Sequence, residues 1–188
     1  MVCVDFGGMS VKPGRLEAIL KSGEILVVVD TPRGSPVKFK YDEELGAFTI
    51  ARFLPSGLAF PFDFGFVPGT RAEDGDALDV VLLMEGSSFP GCVIRARLLG
   101  VLEARQKKKG RMVRDDRLIA VASKSPAYGR VRDLRDLGRE SLDGIERFFA
   151  ASNRVDGRRF EALGRFGRAR ARATLERSVL HSGGVGRR

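Results

Sequence analysis

Up to about residue 122 the chain sets short apolar runs between turn-forming clusters, the pattern of strands joined by short connections and not the 3.6-residue rhythm of helices. Residues 25–30, ILVVVD, are rich in β-branched side chains and stop at TPRGSP, which predicts a strand with Asp30 at its exit. VKFKY (37–41) and AFTIARF (47–53) flank DEELG and predict a hairpin. In its first arm Val37, Phe39 and Tyr41 alternate with Lys38 and Lys40, so both lysines share one sheet face. The stretch 54–70, LPSGLAFPFDFGFVPGT, keeps neither period and predicts a structured loop whose aromatics pack inward. DVVLLM (79–84), CVIRARLLGVLE (92–103) and RLIAVA (117–122) predict three further strands.

The period then changes. SLDGIERFFAASN (141–153) puts Leu142, Ile145, Phe148 and Phe149 at helical spacing after a Ser/Asp start, and ARARATLERSVLHS (169–182) puts Leu175, Val179 and Leu180 on one side. Strands followed by helices predict an α+β fold, a small barrel with helices packed on it. Residues 1–188 are read as one domain. An N-terminal extension covers about residues 1–22 and a frayed tail about 183–188.

Composition narrows the function. No apolar run approaches the length of a bilayer span, and the start, MVCVDFGGMSVKPG, lacks the continuous apolar segment of a secretory signal, so a cytoplasmic location without a membrane partner is expected. Cys3 and Cys92 are a lone, distant pair and make no disulfide framework. His181 has no cysteine or histidine near it, which argues against zinc and histidine-based nucleophilic chemistry. The net charge is +9, but residues 1–102 carry −3 and residues 103–188 carry +12. The basic half invites an anionic partner.

Against that charge, DGDALD crowds Asp74, Asp76 and Asp79 into six positions. Two carboxylates about 5 Å apart repel by about 3 kcal/mol at an effective dielectric of 20, so such a cluster calls for shifted protonation or a bound cation. Ordinary turn chemistry is the competing reading. A calcium loop of the EF-hand kind fails, because its sixth position requires Gly and holds Asp79. Oxygen-rich clusters suit Mg²⁺ or Mn²⁺. Lys38 and Lys40, with Arg52, would complement a phosphate, and the combination points to phosphoryl chemistry.

These segments together resemble the soluble, Mg²⁺-dependent inorganic pyrophosphatases of the bacterial type. VVVDTP, PVKFKYD, GAFTIARF, FPFDFGFVPGT, DGDALDV, PGCVIRARLLGVL, DDRLIAV and IERFF follow in that family's order, with Ala77 where the family usually has Pro. The resemblance implies an OB-like five-stranded β-barrel with flanking α-helices, hydrolysis of diphosphate to two phosphates, Mg²⁺ or alternatively Mn²⁺ as cofactor, and a homo-oligomer such as a hexamer. Carried over by position, Asp74, Asp79 and Asp115 match metal ligands, with Asp79 bridging two ions. Asp76 matches the base that orients and deprotonates water. Asp30 replaces a metal-holding Glu. Lys38 and Arg52 match phosphate-binding cations, and Arg117 replaces a Lys that faces substrate.

Other positions depart from the family. Lys40 replaces a Glu, Phe60 and Phe64 replace tyrosines, Gln106 replaces an Asp, and Ser152 with Asn153 replace a Tyr-Lys pair. The following loop, KKKGRMVR, adds Lys107, Lys108, Lys109, Arg111 and Arg114, which could supply charge in place of metal or form a solvated surface loop. Two alternatives to diphosphate hydrolysis follow. One is a phosphate-binding protein with weak turnover or another phosphoanhydride substrate. The other is a basic nucleic-acid-binding barrel using Arg165, Arg168, Arg170 and Arg172, a reading that the absence of tryptophan weakens.

Overall fold

The computed structural model describes Pro13 and residues 16–108, 110–155 and 159–182. Cys3, Lys109 and the tail from residue 183 lie outside the described residues, as does most of the expected N-terminal extension. In chain order the strands are β1 (Ile25–Thr31), β2 (Val37–Asp42), β3 (Ala47–Phe53), β4 (Asp63–Phe66), β5 (Asp79–Leu83), β6 (Val93–Lys108), β7 (Arg111–Arg114), β8 (Arg117–Ala122) and β9 (Phe160–Gly167). The helices are α1 (Arg139–Val155) and α2 (Arg168–Ser182).

Strand pairing runs β1 to β4 to β5 to β8 to β6, and β6 pairs again with β1, so five strands close on themselves. All these pairs are antiparallel except β5 with β8. This is the expected OB-like barrel. β2 and β3 form the expected hairpin as a separate two-stranded sheet.

The two-residue period divides each strand between two apolar clusters. Ile25, Val27, Val29, Val80, Leu82, Leu118 and Ala120 fill one, which Ala171 and Leu175 of α2 seal. Val81, Ile119 and Val121 turn to the other, where α1 lays Leu142, Ile145, Phe148 and Phe149 over the barrel wall. Each of those side chains contributes about 1.5–3 kcal/mol on full burial, which anchors the helix whose C-terminal end borders the cleft described below.

Three segments differ from the sequence reading. The stretch 54–70 is not loop throughout: it contains β4, inserted between β1 and β5. Gly65 makes that insertion possible, because a Cβ there would lie 2.2 Å from the Val28 carbonyl oxygen. The run KKKGRMVR is not a loop either. β6 continues to Lys108 and returns as β7, with Gly110 turning at φ 82°. β9, unforeseen because GRF and its flanks read as a basic segment, pairs with β6 from Gly100 to Gln106. Among the described residues no helix is long and apolar enough to cross a membrane.

Candidate active site

β5 opens on Asp79 and β8 on Arg117, and the parallel register sets these two residues side by side. Asp115 lies two positions ahead of Arg117. The guanidinium donates through Nη1 to the Asp115 carbonyl at 2.9 Å and through Nη2 to Asp115 Oδ2 at 2.6 Å, while its Nε stands 4.0 Å from Asp79 Oδ2. It also stacks over Phe149 at 4.2 Å and Phe160 at 5.0 Å. Arg117 is 4% exposed. It is therefore a buried counter-ion of Asp115 and Asp79 that also lines the cleft.

Asp30 sits near the end of β1, where the pairing with β4 slips register between Val29 and Thr31. Its carboxylate is buried, and Oδ1 meets no hydrogen-bond partner among the described residues. Burial pushes its pKa up to about 6 against the opposing pull of Lys38. Burial also pushes Asp79 up to about 7, with the Asp115 charge adding to the rise and Lys38 opposing it.

Asp74 and Asp76 belong to a tight turn. Gly75 adopts φ 89°, the Ala72 N–H donates to the Asp76 carbonyl at 2.8 Å, and the Asp76 N–H donates to Asp74 Oδ1 at 3.1 Å. The turn reading of this cluster is thus correct for Asp74 Oδ1, and it leaves the Asp76 carboxylate directed to the cleft. There Lys40 Nζ meets Asp76 Oδ1 at 2.8 Å.

The cations come from the β2–β3 hairpin. Lys38 and Arg52 face each other across its register. The Lys38 ammonium lies 5.0 Å above the Phe64 ring, and Arg52 Nη1 donates to the Ser152 carbonyl of α1 at 3.0 Å. All the residues singled out from the sequence as metal ligands, base or phosphate-binding cations line one cleft of about 1280 Å³. Tyr41, Glu43 and Arg71 line it too. The sequence reading missed these three, although Arg71 lies only three residues before Asp74.

The altered positions meet one another in this cleft. Gln106 Nε2 donates to Asn153 Oδ1 at 2.9 Å, and Asn153 Nδ2 donates to the Phe149 carbonyl at 2.8 Å. A neutral hydrogen-bonded pair thus occupies the place where the resemblance implies opposite charges. Phe60 and Phe64 are buried in an aromatic cluster with Phe148 and Phe149, so missing hydroxyls are replaced by ring packing. Of the loop cations, Arg114 is bound to Glu103 and Asp116. The strand period sends Lys107 to the face opposite Gln106, which leaves Arg111 on the side of Gln106.

Three arginines of the basic C-terminal segment pair within the chain. Arg165 pairs with Asp143 and Glu146, Arg170 with Glu103, and Arg172 with Glu176.

Among the described residues no three Asp, Glu, Cys or His side chains already stand close enough together to enclose an ion. Arg117 on Asp115 and Lys40 on Asp76 pair with carboxylates that a metal would have to share. The donor set nonetheless fits divalent ions. The unpartnered Asp30 oxygen and the raised pKa of Asp79 mark desolvated carboxylates short of positive charge, and the donors are all hard oxygens.

Comparison with known proteins gives a consistent result. A family model described as inorganic pyrophosphatase matches residues 27–182. The inorganic pyrophosphatase of Synechocystis sp. is 37% identical over 150 residues, covering 80% of this chain and 86% of that protein. That of Nostoc sp. is 35% identical, covering 88% and 95%. The crystal structure of inorganic pyrophosphatase from Thermus thermophilus superposes with a TM-score of 0.86 at 28% identity, covering 92% of this chain and 99% of that one.

Proposed function

Because the chain belongs to the inorganic pyrophosphatase family and hydrolyses diphosphate to two phosphates, we propose that the cleft between the barrel and the β2–β3 hairpin performs this reaction through Asp76 as base. Asp74, Asp79, Asp115 and Asp30 would hold the divalent ions, Mg²⁺ or Mn²⁺. When bound, such ions neutralise charge on the diphosphate oxygens and make an attacking water more acidic. Asp76 orients that water and takes its proton at a carboxylate oxygen. Lys38 and Arg52 hold the phosphate oxygens and stabilise the charge that develops on the leaving phosphate. Arg117 keeps Asp115 and Asp79 apart in a fixed geometry. The water oxygen bonds one phosphorus, the bridging oxygen departs with the second phosphate, and one bond is made for each one broken.

The observation that carries this reading is the convergence of Asp30, Lys38, Arg52, Asp76, Asp79 and Asp115 from separate segments on one cleft. We further infer a cytoplasmic homo-oligomer, for which exposed Ile50, Phe53 and Phe166 offer apolar surface. Phosphate release from diphosphate, measured with Mg²⁺, with Mn²⁺ and with chelator, tests the reading beside Asp76→Asn. Metal-dependent turnover is expected, with a loss of about 10²–10⁴-fold in the variant. Equal rates in wild type and variant would remove Asp76 from the mechanism, and silence of both would leave a phosphate-binding protein.

A further inference from the structure

Lys40 occupies a position for which the sequence resemblance implies a carboxylate, and its surroundings give it a definite task. Its ammonium lies 2.8 Å from Asp76 Oδ1 although the two residues are 36 positions apart. The side chains are 59% and 43% exposed, so the pair stands at the open side of the cleft. Lys38 shares its strand face, and Thr49 lies opposite in the hairpin register. Nothing in this arrangement locks the ammonium in place. An exposed ion pair contributes only about 0–1 kcal/mol. Diphosphate brings several negative charges and strong acceptor oxygens into the same cleft, and charge-assisted hydrogen bonds to phosphate are about twice as strong as neutral ones.

We propose that Lys40 is an exchanging cation: it pairs with Asp76 while the cleft holds no substrate and transfers its hydrogen bond to a phosphate of the bound substrate, which withdraws its positive charge from the Asp76 carboxylate oxygen. This rests on Asp76 being the base. It differs from the role of Lys38 and Arg52, because Lys40 would couple anion arrival to the availability of the base. A lysine also suits the site electrostatically, since a carboxylate at position 40 would repel Asp76 and any incoming phosphate.

The test combines kinetics with a binding cycle on the intact chain. Lys40→Met keeps the aliphatic stem and removes the charge. Its KM for diphosphate should rise about tenfold with kcat changed far less, and Lys40→Arg should restore most of the loss. Calorimetric titration with inorganic phosphate supplies a readout independent of turnover. Asp76→Asn releases Lys40 and should tighten phosphate binding by up to about fivefold, the equivalent of one exposed ion pair. The same change in the Lys40→Met background should give less than half that gain. An unchanged KM and phosphate affinity in Lys40→Met, or an equal gain in both backgrounds, would overturn the exchange. Full turnover by Asp76→Asn would instead reject the base assignment, while the phosphate cycle still reports on Lys40.

Discussion

Replacing Arg117 by Met tests whether the cleft is held together by its own guanidinium. Arg117 is 4% exposed and Asp115 9%, so the pair is buried, and removal of one partner of a buried pair costs about 3–5 kcal/mol. The stacking over Phe149 and Phe160 is worth about 2 kcal/mol more when desolvated, but the Met side chain retains part of that packing. A net loss of about 3–5 kcal/mol follows, and in a chain of this size it corresponds to a fall in Tm of about 6–20 °C. Thermal unfolding followed by circular dichroism in chelator measures it. The variant should then regain more stability from Mg²⁺ than wild type does, because Asp79 and Asp115 have lost the guanidinium buried between them. Saturation to 100 times Kd adds about 2.7 kcal/mol. Melting within about 2 °C of wild type, or an equal Mg²⁺ response in both proteins, would refute the assignment of Arg117 as the internal counter-ion.

Further predictions address fold and pH. Gly65→Ala places a Cβ 2.2 Å from the Val28 carbonyl oxygen, so β1 and β4 must separate, and urea denaturation should show a loss of at least about 1–3 kcal/mol; an unchanged midpoint would contradict the close approach. Glu103 is buried, which raises its pKa, but ion pairs to Arg170 and Arg114 outweigh burial and leave it lowered. A depressed carboxylate stabilises the fold above its unfolded pKa near 4.5, and that stabilisation is lost as pH falls through the folded value. Glu103→Gln should therefore reduce stability at pH 7 by about 1–3 kcal/mol and flatten the acid limb of the stability profile, and parallel profiles for the two proteins would oppose this. Asp30→Asn should be neutral or stabilising in chelator, since it removes a desolvated charge, yet it should weaken Mg²⁺ binding measured by calorimetry.

How much of this was legible in the sequence depended on whether the information was local. β1, β5 and β8 show as short apolar runs buried along most of their length, the β2–β3 hairpin as two arms around a turn, and the helices as apolar positions at helical spacing. β4 does not show, because its four residues lie among Gly, Pro and Phe and owe their extended form to neighbours on both sides. β7 and β9 are polar or basic and are likewise fixed by pairing with the long β6. The aspartate cluster announced itself by crowding. Asp30, Asp115 and Arg117 carried no local signal and were reached only through the family resemblance.

The same limit explains why the chemistry of the departures had to come from the fold. Read singly, Gln106, Ser152 and Asn153 look like losses from the site. In space Gln106 and Asn153 satisfy each other, while Arg52 is tied to the Ser152 carbonyl. Lys40 and Arg117 meanwhile place side-chain positive charge on Asp76 and Asp115, and of the two only the Arg117 pair is buried. Charge that mobile ions would otherwise supply is thus partly built into side chains. A fixed cation costs no ion binding, but it cannot leave with product and it competes for the carboxylates that must hold metal. The balance between those effects should appear as a dependence of turnover on Mg²⁺ that shifts to lower concentration when Arg117 is shortened to Lys, because a lysine loses the paired hydrogen bonds and loosens its hold on Asp115.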